Sequence, residues 1–194
     1  MTVKNYLVQS CQRKEVKRFI ETWHYSKNIN GVISDYSFKL MDKDKIIGAM
    51  IYGRIAMANV WKKYVNNENE LIELRRLCCI DDTPKNTESY FIGYTLRWLK
   101  KNSNIKKVIS YADETYNHSG TIYKASNFKH IGMTNKGKVI VYNNKLYHDK
   151  TIRTKYKGKL KPYCLKIKDA LNTGEAYYKN TLGKHIYIYQ LKKD

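Results

Sequence analysis

The stretch from Glu70 to Lys101 constrains the fold most. "ELIELRRLCCI" (70–80) is long for a strand, and its leucine, isoleucine and cysteine content suits a central, mostly buried one. The polar run "DDTPKNTES" follows at once. Then comes a helical segment, roughly 87–101, that turns Phe91, Ile92, Leu96 and Leu99 toward a core. "KKVISYAD" (106–113) reads as the next strand and "NHSGTIYKASNF" as a short helix. "FKHIGM" and "KVIVY" read as further strands, with a turn at "NNK".

Upstream, "QRKEVKRFIETW" (12–23) sets Val16, Phe19, Ile20 and Trp23 on one helical face, with Arg13, Lys14 and Lys17 opposite. Residues 35–53 predict a hairpin around an Asp-Lys-Asp-Lys turn, and 54–69 an irregular stretch or short helix. Near the end, "PYCLKIKDALN" predicts a helix capped by Gly174, and "KHIYIYQL" a last strand. A hairpin followed by strand, helix, strand, helix, strand predicts an α/β fold: a mixed β-sheet flanked by helices. We expect one domain over 1–194, with 150–194 a basic C-terminal extension, helix and strand, packed on it.

The charge points to a partner. Lys and Arg number 37 against 17 Asp and Glu, a formal net charge of +20, and 18 tyrosines are interleaved with them. Such a chain attracts a polyanion, and the mixture of cations with aromatics favours nucleic acid over a membrane. Phosphate contacts would fall to Lys14, Lys17, Arg18, Lys62, Lys63, Arg153, Lys155, Lys157 and Lys159. The cluster around 150–161 stands out, because like charges so close repel unless a polyanion relieves them. The four cysteines include no C-x-x-C pair, and Cys78 and Cys79 are adjacent, so neither a zinc ribbon nor a disulfide framework is suggested and buried thiols are expected. No signal peptide opens the chain and no apolar run approaches a membrane span, so we expect a cytoplasmic protein.

The loop before the 87–101 helix is a candidate ligand cradle. A helix N-terminus offers unpaired N–H groups and a partial positive charge to an anion. Asn86, Thr87 and Ser89 are capping-type residues crowded into that turn, more than capping alone explains, and with Lys85 they are the candidate cofactor-binding residues.

Strand, loop, helix, strand and then "GTIYKASNFKHIGM" resemble the acyl-CoA N-acyltransferase (GNAT) fold. In that fold the strand-to-helix loop cradles a cofactor pyrophosphate, and a later helix carries a tyrosine and ends in a Gly-Phe pair. Here Tyr123 and Asn127-Phe128 match, and Asn like Gly tolerates the left-handed conformation of a C-cap. "PKNTES" departs from the family's glycine-rich loop. The ordered series "WHYSK" (23–27), "ELRRL" (73–77), "PKNTES" (84–89), "YADETYNHSGTIYKASNF" (111–128), "HDKTIRTKYK" (148–157) and "GKHIYIY" (183–189) resembles more closely the Mom family of phage DNA-modification proteins, a diverged GNAT branch. The resemblance implies a transferase that converts adenine in double-stranded DNA to an N6-carbamoylmethyl form and shields phage DNA, in the host cytoplasm, from restriction. It implies an acyl-CoA-like or glycine-derived donor and brings in iron as a candidate metal. Whether the chain is a monomer or a dimer stays open. The rival readings are a conventional acetyl-CoA-dependent N-acetyltransferase and a non-catalytic DNA-binding protein.

Carried onto this sequence, the family's working positions are Arg76, Ser89, Asp113, Tyr123 and Tyr25, with His24. In a regular strand Leu74, Arg76, Cys78 and Ile80 would share a face, and a buried arginine there needs an anion, either a ligand or Asp81 or Asp82. Asp113 ends its strand and reads as a general base, a metal ligand or a turn aspartate. Tyr123 reads as the proton donor or as a core tyrosine. His24, Asp113 and His118 offer two imidazoles and a carboxylate, a set that suits non-haem iron. An enzyme acting on adenine N6 must extrude the base onto aromatic groups, for which Tyr25 and Tyr52 are candidates.

Overall fold

The computed structural model describes residues 5–57 and 59–193. They form two compact units. The first comprises the described residues within Met1–Ala112, Ser119–Gly132 and His185–Asp194, and the second Asp113–His118 and Met133–Lys184. The division does not fall at residue 150. Residues 133–149 join the basic segment, and 185–193 leave it.

The first unit is built on a seven-stranded sheet. Its strands are β1 (Leu7–Cys11), β2 (Tyr36–Asp42), β3 (Lys45–Gly53), β4 (Leu71–Cys79), β5 (Lys107–Asp113), β6 (Lys129–Met133) and, last in the chain, the Lys184–Gln190 strand, here β10. The order is β1-β2-β3-β4-β5-β10-β6. The end residues Asp113, Met133 and Lys184 are counted with the second unit. Pairing is antiparallel from β1 to β4 and parallel between β4 and β5, the mixed sheet expected.

Helices α1 (Arg13–Trp23) and α2 (Thr87–Asn102) cover the two faces. Met50 and Tyr52 of β3 pack in one core with Phe91, Ile92, Leu96 and Leu99 of α2, whereas Ala49 and Ile51 pack in another with Val16 and Ile20 of α1. A strand buried on both faces reads as a continuous apolar run, and "IIGAMIYG" does. The β2–β3 hairpin turns on Lys43 (φ 51°) between the paired Asp42 and Lys45, at the expected Asp-Lys-Asp-Lys turn. β1 is an addition to the expected set.

The short helix α3 (Thr121–Ala125) precedes Asn127, whose φ of 62° is the left-handed conformation that asparagine tolerates at a helix end. The second unit is a three-stranded sheet, β8-β7-β9, with β7 Gly137–Tyr142, β8 Lys145–His148 and β9 Tyr177–Thr181. Asn143 and Asn144 (φ 48° and 58°) make the two-residue β7–β8 turn. Helix α4 (Pro162–Thr173) ends at Gly174 (φ 82°), and Ile167 and Ala170 bury Ile140 and Ala176. The last strand, read as part of an extension, instead lies in the large sheet between β5 and β6.

Candidate active site

Two irregularities of β4 create the site. Ile51 pairs with Arg76 and Tyr52 with Leu74, so Arg75 is an extra residue, a β-bulge. A bulge re-aims the side chains that follow it. Leu74 therefore joins the core under α2, while Cys78 joins the core under α1. This corrects the single face expected for Leu74, Arg76 and Cys78. Arg76, opposite Ile51, falls on the α1 side.

The second irregularity is where β4 and β5 part. Their ladder runs from Leu71↔Lys107 to Leu74↔Ser110 and ends there, although β4 continues to Cys79. Two parallel strands that diverge leave backbone groups facing a groove, where an extended ligand can pair with them. Ser110 marks the fork, and its hydroxyl donates to Leu74 O at 3.2 Å. The same side chain hydrogen-bonds Tyr123.

Burial pushes the Tyr123 phenol up to about 12, against the pull of that hydrogen bond. The ring is seated between Phe128 and Tyr187, with centroids at 5.6 and 5.4 Å. Tyr187 is itself fixed by a 2.6 Å bond from its hydroxyl to Ser119 O. At Gly120 a β-carbon would come within 2.2 Å of the Tyr187 ring, so the chain passes in contact with it.

Arg76 lies half buried beyond the fork. Its Nε donates to Asn28 O at 3.3 Å and its Nη1 to Arg75 O at 2.7 Å. Burial lowers its pKa, and the neighbours that oppose this shift include Tyr25 and the Glu73 carboxylate, not Asp81 or Asp82. Tyr25 and Glu73 also act on Tyr123, so Tyr25, Glu73, Arg76, Ser110 and Tyr123 form one electrostatic neighbourhood. Tyr25, 44% exposed, stacks on buried His24 with centroids 4.2 Å apart. Ser26 N–H donates to His24 Nδ1 at 3.1 Å.

Sequence reasoning missed Glu73, Arg75 and Ser110. Arg75 Nη1 donates to Arg54 O at 2.7 Å and lies 3.9 Å from Glu73 Oε2, and its buried Nε has no hydrogen-bond partner among the described residues. The signal for Glu73 and Arg75 was present only as the "ELRRL" motif, and Ser110 lay in the 106–113 strand with no signal of its own. Tyr52 must be withdrawn as a base-stacking residue: it is fully buried and bonded to Thr95 Oγ1 at 2.7 Å.

The loop residues divide. Lys85 and Asn86 are exposed, and Asn86 (φ 72°) heads α2 without a side-chain cap. Ser89 Oγ donates to Asn86 O at 3.0 Å, outside the contacts of the tyrosine–arginine group. Thr87 is turned inward, fully buried, and donates to Pro84 O at 2.7 Å. Only its backbone can face a ligand at the helix start.

Asp113 and His118 fall in the second unit. Asp113 is buried; one carboxylate oxygen accepts from Thr115 N–H at 3.1 Å and the other is 2.9 Å from Lys184 Nζ. Among the described residues no group of three or more His, Cys, Asp or Glu could hold a metal ion, so His24, Asp113 and His118 are not assembled as the expected iron set. An ammonium on Asp113 also opposes ligation of a cation there. Lys14, Lys17, Arg18, Lys62, Lys63, Arg153, Lys155, Lys157 and Lys159 are all exposed. No helix is long and apolar enough to cross a membrane among the described residues.

The model of the Mom protein family matches residues 5–194. Methylcarbamoylase mom of Escherichia phage Mu is 28% identical over 147 residues, which are 73% of this chain and 59% of that protein, so the match spans less than two thirds of the relative's length. The structure is similar to an N-acetyltransferase from Staphylococcus aureus Mu50, with a TM-score of 0.54 at 15% identity over 97% of this chain and 99% of that one. It is also similar to NAA60 of Arabidopsis thaliana, solved in complex with acetyl-CoA, with a TM-score of 0.56 at 10% identity over 95% and 98%. The architecture is that of the GNAT N-acetyltransferases.

Proposed function

The chain belongs to the Mom protein family, and from that membership we propose that it is a transferase that modifies adenine N6 in double-stranded DNA, adding a carbamoylmethyl-type group that protects phage DNA from host restriction. The observation that carries the reading is the neutral phenol of Tyr123, hydrogen-bonded to Ser110 at the fork of β4 and β5 and sharing Tyr25 and Glu73 as electrostatic neighbours with Arg76. Transfer to N6 forms a nitrogen–carbon bond, releases a proton from N6 and expels a leaving group from the donor. Tyr123 supplies a proton to that leaving group, because a phenol with a raised pKa is protonated at neutral pH. Arg76 binds an anionic or carboxylated part of the donor, an acyl-CoA-like or glycine-derived molecule. The unpaired edges of the fork and the Lys85–Ser89 turn bind its extended and charged parts. Asp113, held by Lys184 and Thr115, takes the N6 proton. Tyr25 offers an exposed ring for the displaced adenine. The acetyl-CoA held by the Arabidopsis neighbour supports a donor of the acyl-CoA class.

The test is mass spectrometry of nucleosides from bacterial DNA after expression of the chain. A deoxyadenosine heavier by a carbamoylmethyl group, absent with Arg76→Ala, is the expected result. An acetylated adduct would replace this reading by a conventional acetyltransfer, and unmodified DNA would remove it.

A further inference from the structure

The second unit holds a cleft of about 660 Å³ that the catalytic reading does not use. That volume is within the usual range for small-ligand sites, roughly 300–1,000 Å³. Its floor follows from the β7–β9 register. Ile140 pairs with Tyr178 and Lys138 with Asn180, and residues directly opposite in an antiparallel ladder share a face. Tyr178, Asn180 and Lys138 therefore line one side of the sheet, next to the core that α4 covers. Asp149 and Arg153, an ion pair on and just after the Asp149–Ile152 3-10 turn, form part of the wall, with Lys136.

Each component has a partner in one chemical unit. Tyr178 is half exposed on edge strand β9, so its ring is open to stacking. Asn180 presents a carbonyl and an NH₂ group, the pair that reads a base edge in two hydrogen bonds. Lys136, Lys138 and Arg153 outweigh the single carboxylate of Asp149 and supply charge for a phosphate. From Lys150 through Lys168 the chain carries eight Lys and Arg and no Asp or Glu, so the segment that contributes Arg153 to the cleft is itself strongly positive.

We infer that this cleft binds one nucleotide unit, with the base on Tyr178 and Asn180 and the phosphate on Lys136, Lys138 and Arg153. The unit is either an unstacked nucleotide of a DNA strand or a free nucleotide. The inference rests on the reading that this chain works on DNA, and it gives the second unit the task of holding the strand by a base.

The experiment is fluorescence anisotropy of the full chain with a labelled single-stranded oligodeoxynucleotide at several salt concentrations. Tyr178→Ala should weaken binding about tenfold or more, since one base–aromatic stack is lost, and leave the salt slope unchanged, since no charge is lost. Arg153→Ala should weaken binding and lower the salt slope by about one. Circular dichroism with a melting curve checks that both variants fold; Tyr178 lies outside the buried cluster of its unit. Free deoxynucleoside monophosphate identifies the source: competition at the concentration of the strand assigns the cleft to a free nucleotide, and competition only in large excess assigns it to the strand. Wild-type binding with Tyr178→Ala unaltered would overturn the cleft and leave the DNA reading standing. A wild-type chain that holds no DNA even at low salt would remove the DNA reading, and the inference with it.

Discussion

At the scale of single residues, Tyr123 carries the sharpest consequence. Tyr123→Phe keeps the ring between Phe128 and Tyr187 and removes only the hydroxyl that meets Ser110. If the phenol delivers a proton to the leaving group, DNA modification should fall by about 10²- to 10⁴-fold, the usual share of a general acid. DNA affinity should stay at the wild-type value and the melting temperature within a few degrees. A normal yield of modified nucleoside from that variant would reduce Tyr123 to a packing residue. Arg76→Lys tests geometry in place of charge. A lysine keeps the cation but loses the planar fork that donates to Asn28 and Arg75 together, so modification should remain near that of Arg76→Ala. Asp113→Asn, which preserves shape and discharges the partner of Lys184, should fold and bind DNA yet leave adenine unmodified, as the nucleoside assay would show.

Among the elements, the turn from Ser119 to Ala125 is set by one contact. Gly120 has a φ of 78° and runs against the buried ring of Tyr187, which in turn seats Tyr123. Gly120→Ala should cost about 2 kcal/mol or more, from strain at positive φ and displacement of a core ring. A urea unfolding curve would show it as a lower midpoint. Loss of modification should accompany it, because the phenol moves with the ring behind it. α2, the β2–β3 hairpin, the turn after β7 and the strands β4 and β5 were legible in the sequence, since each is set by local periodicity or by turn residues. The bulge at Arg75 was not, because it exists only in the pairing of β4 with β3. It follows that Arg76, Tyr25 and Tyr123 were named from motifs while Glu73 and Ser110, whose roles depend on the bulge and the end of a ladder, were passed over. β9 was hidden for another reason: "YYKNT" exposes successive residues on an edge strand, so it shows no alternation to read.

For the molecule as a whole, buried tyrosines tie stability to alkaline pH. Burial raises the pKa of Tyr52, Tyr111 and Tyr123 in the folded chain above the ordinary 10, Tyr123 to about 12. Groups raised in this way keep their protons when folded, so their contribution is complete below about pH 10 and is lost as pH rises through the folded values. Loss of lysine charge over the same range relaxes the repulsion of a +20 chain and acts oppositely. The comparison is therefore between wild type and Tyr123→Phe: between pH 10 and 12 the wild-type unfolding free energy should fall more steeply, by about 1.4 kcal/mol per pH unit. Parallel slopes would show that the phenol ionises freely in the folded chain. Residues 133–184 leave the large sheet from β6 and rejoin it at β10, its neighbour, and Thr134 and Lys184 are tied by two 2.9 Å hydrogen bonds, Thr134 N–H to Lys184 O and Lys184 N–H to Thr134 Oγ1. A segment closed on itself at its base can lengthen, shorten or change composition without altering the spacing of the strands that carry it. The stretch between Thr134 and Lys184 can thus be exchanged as one cassette at its two joined ends, with β10 still paired beside β6.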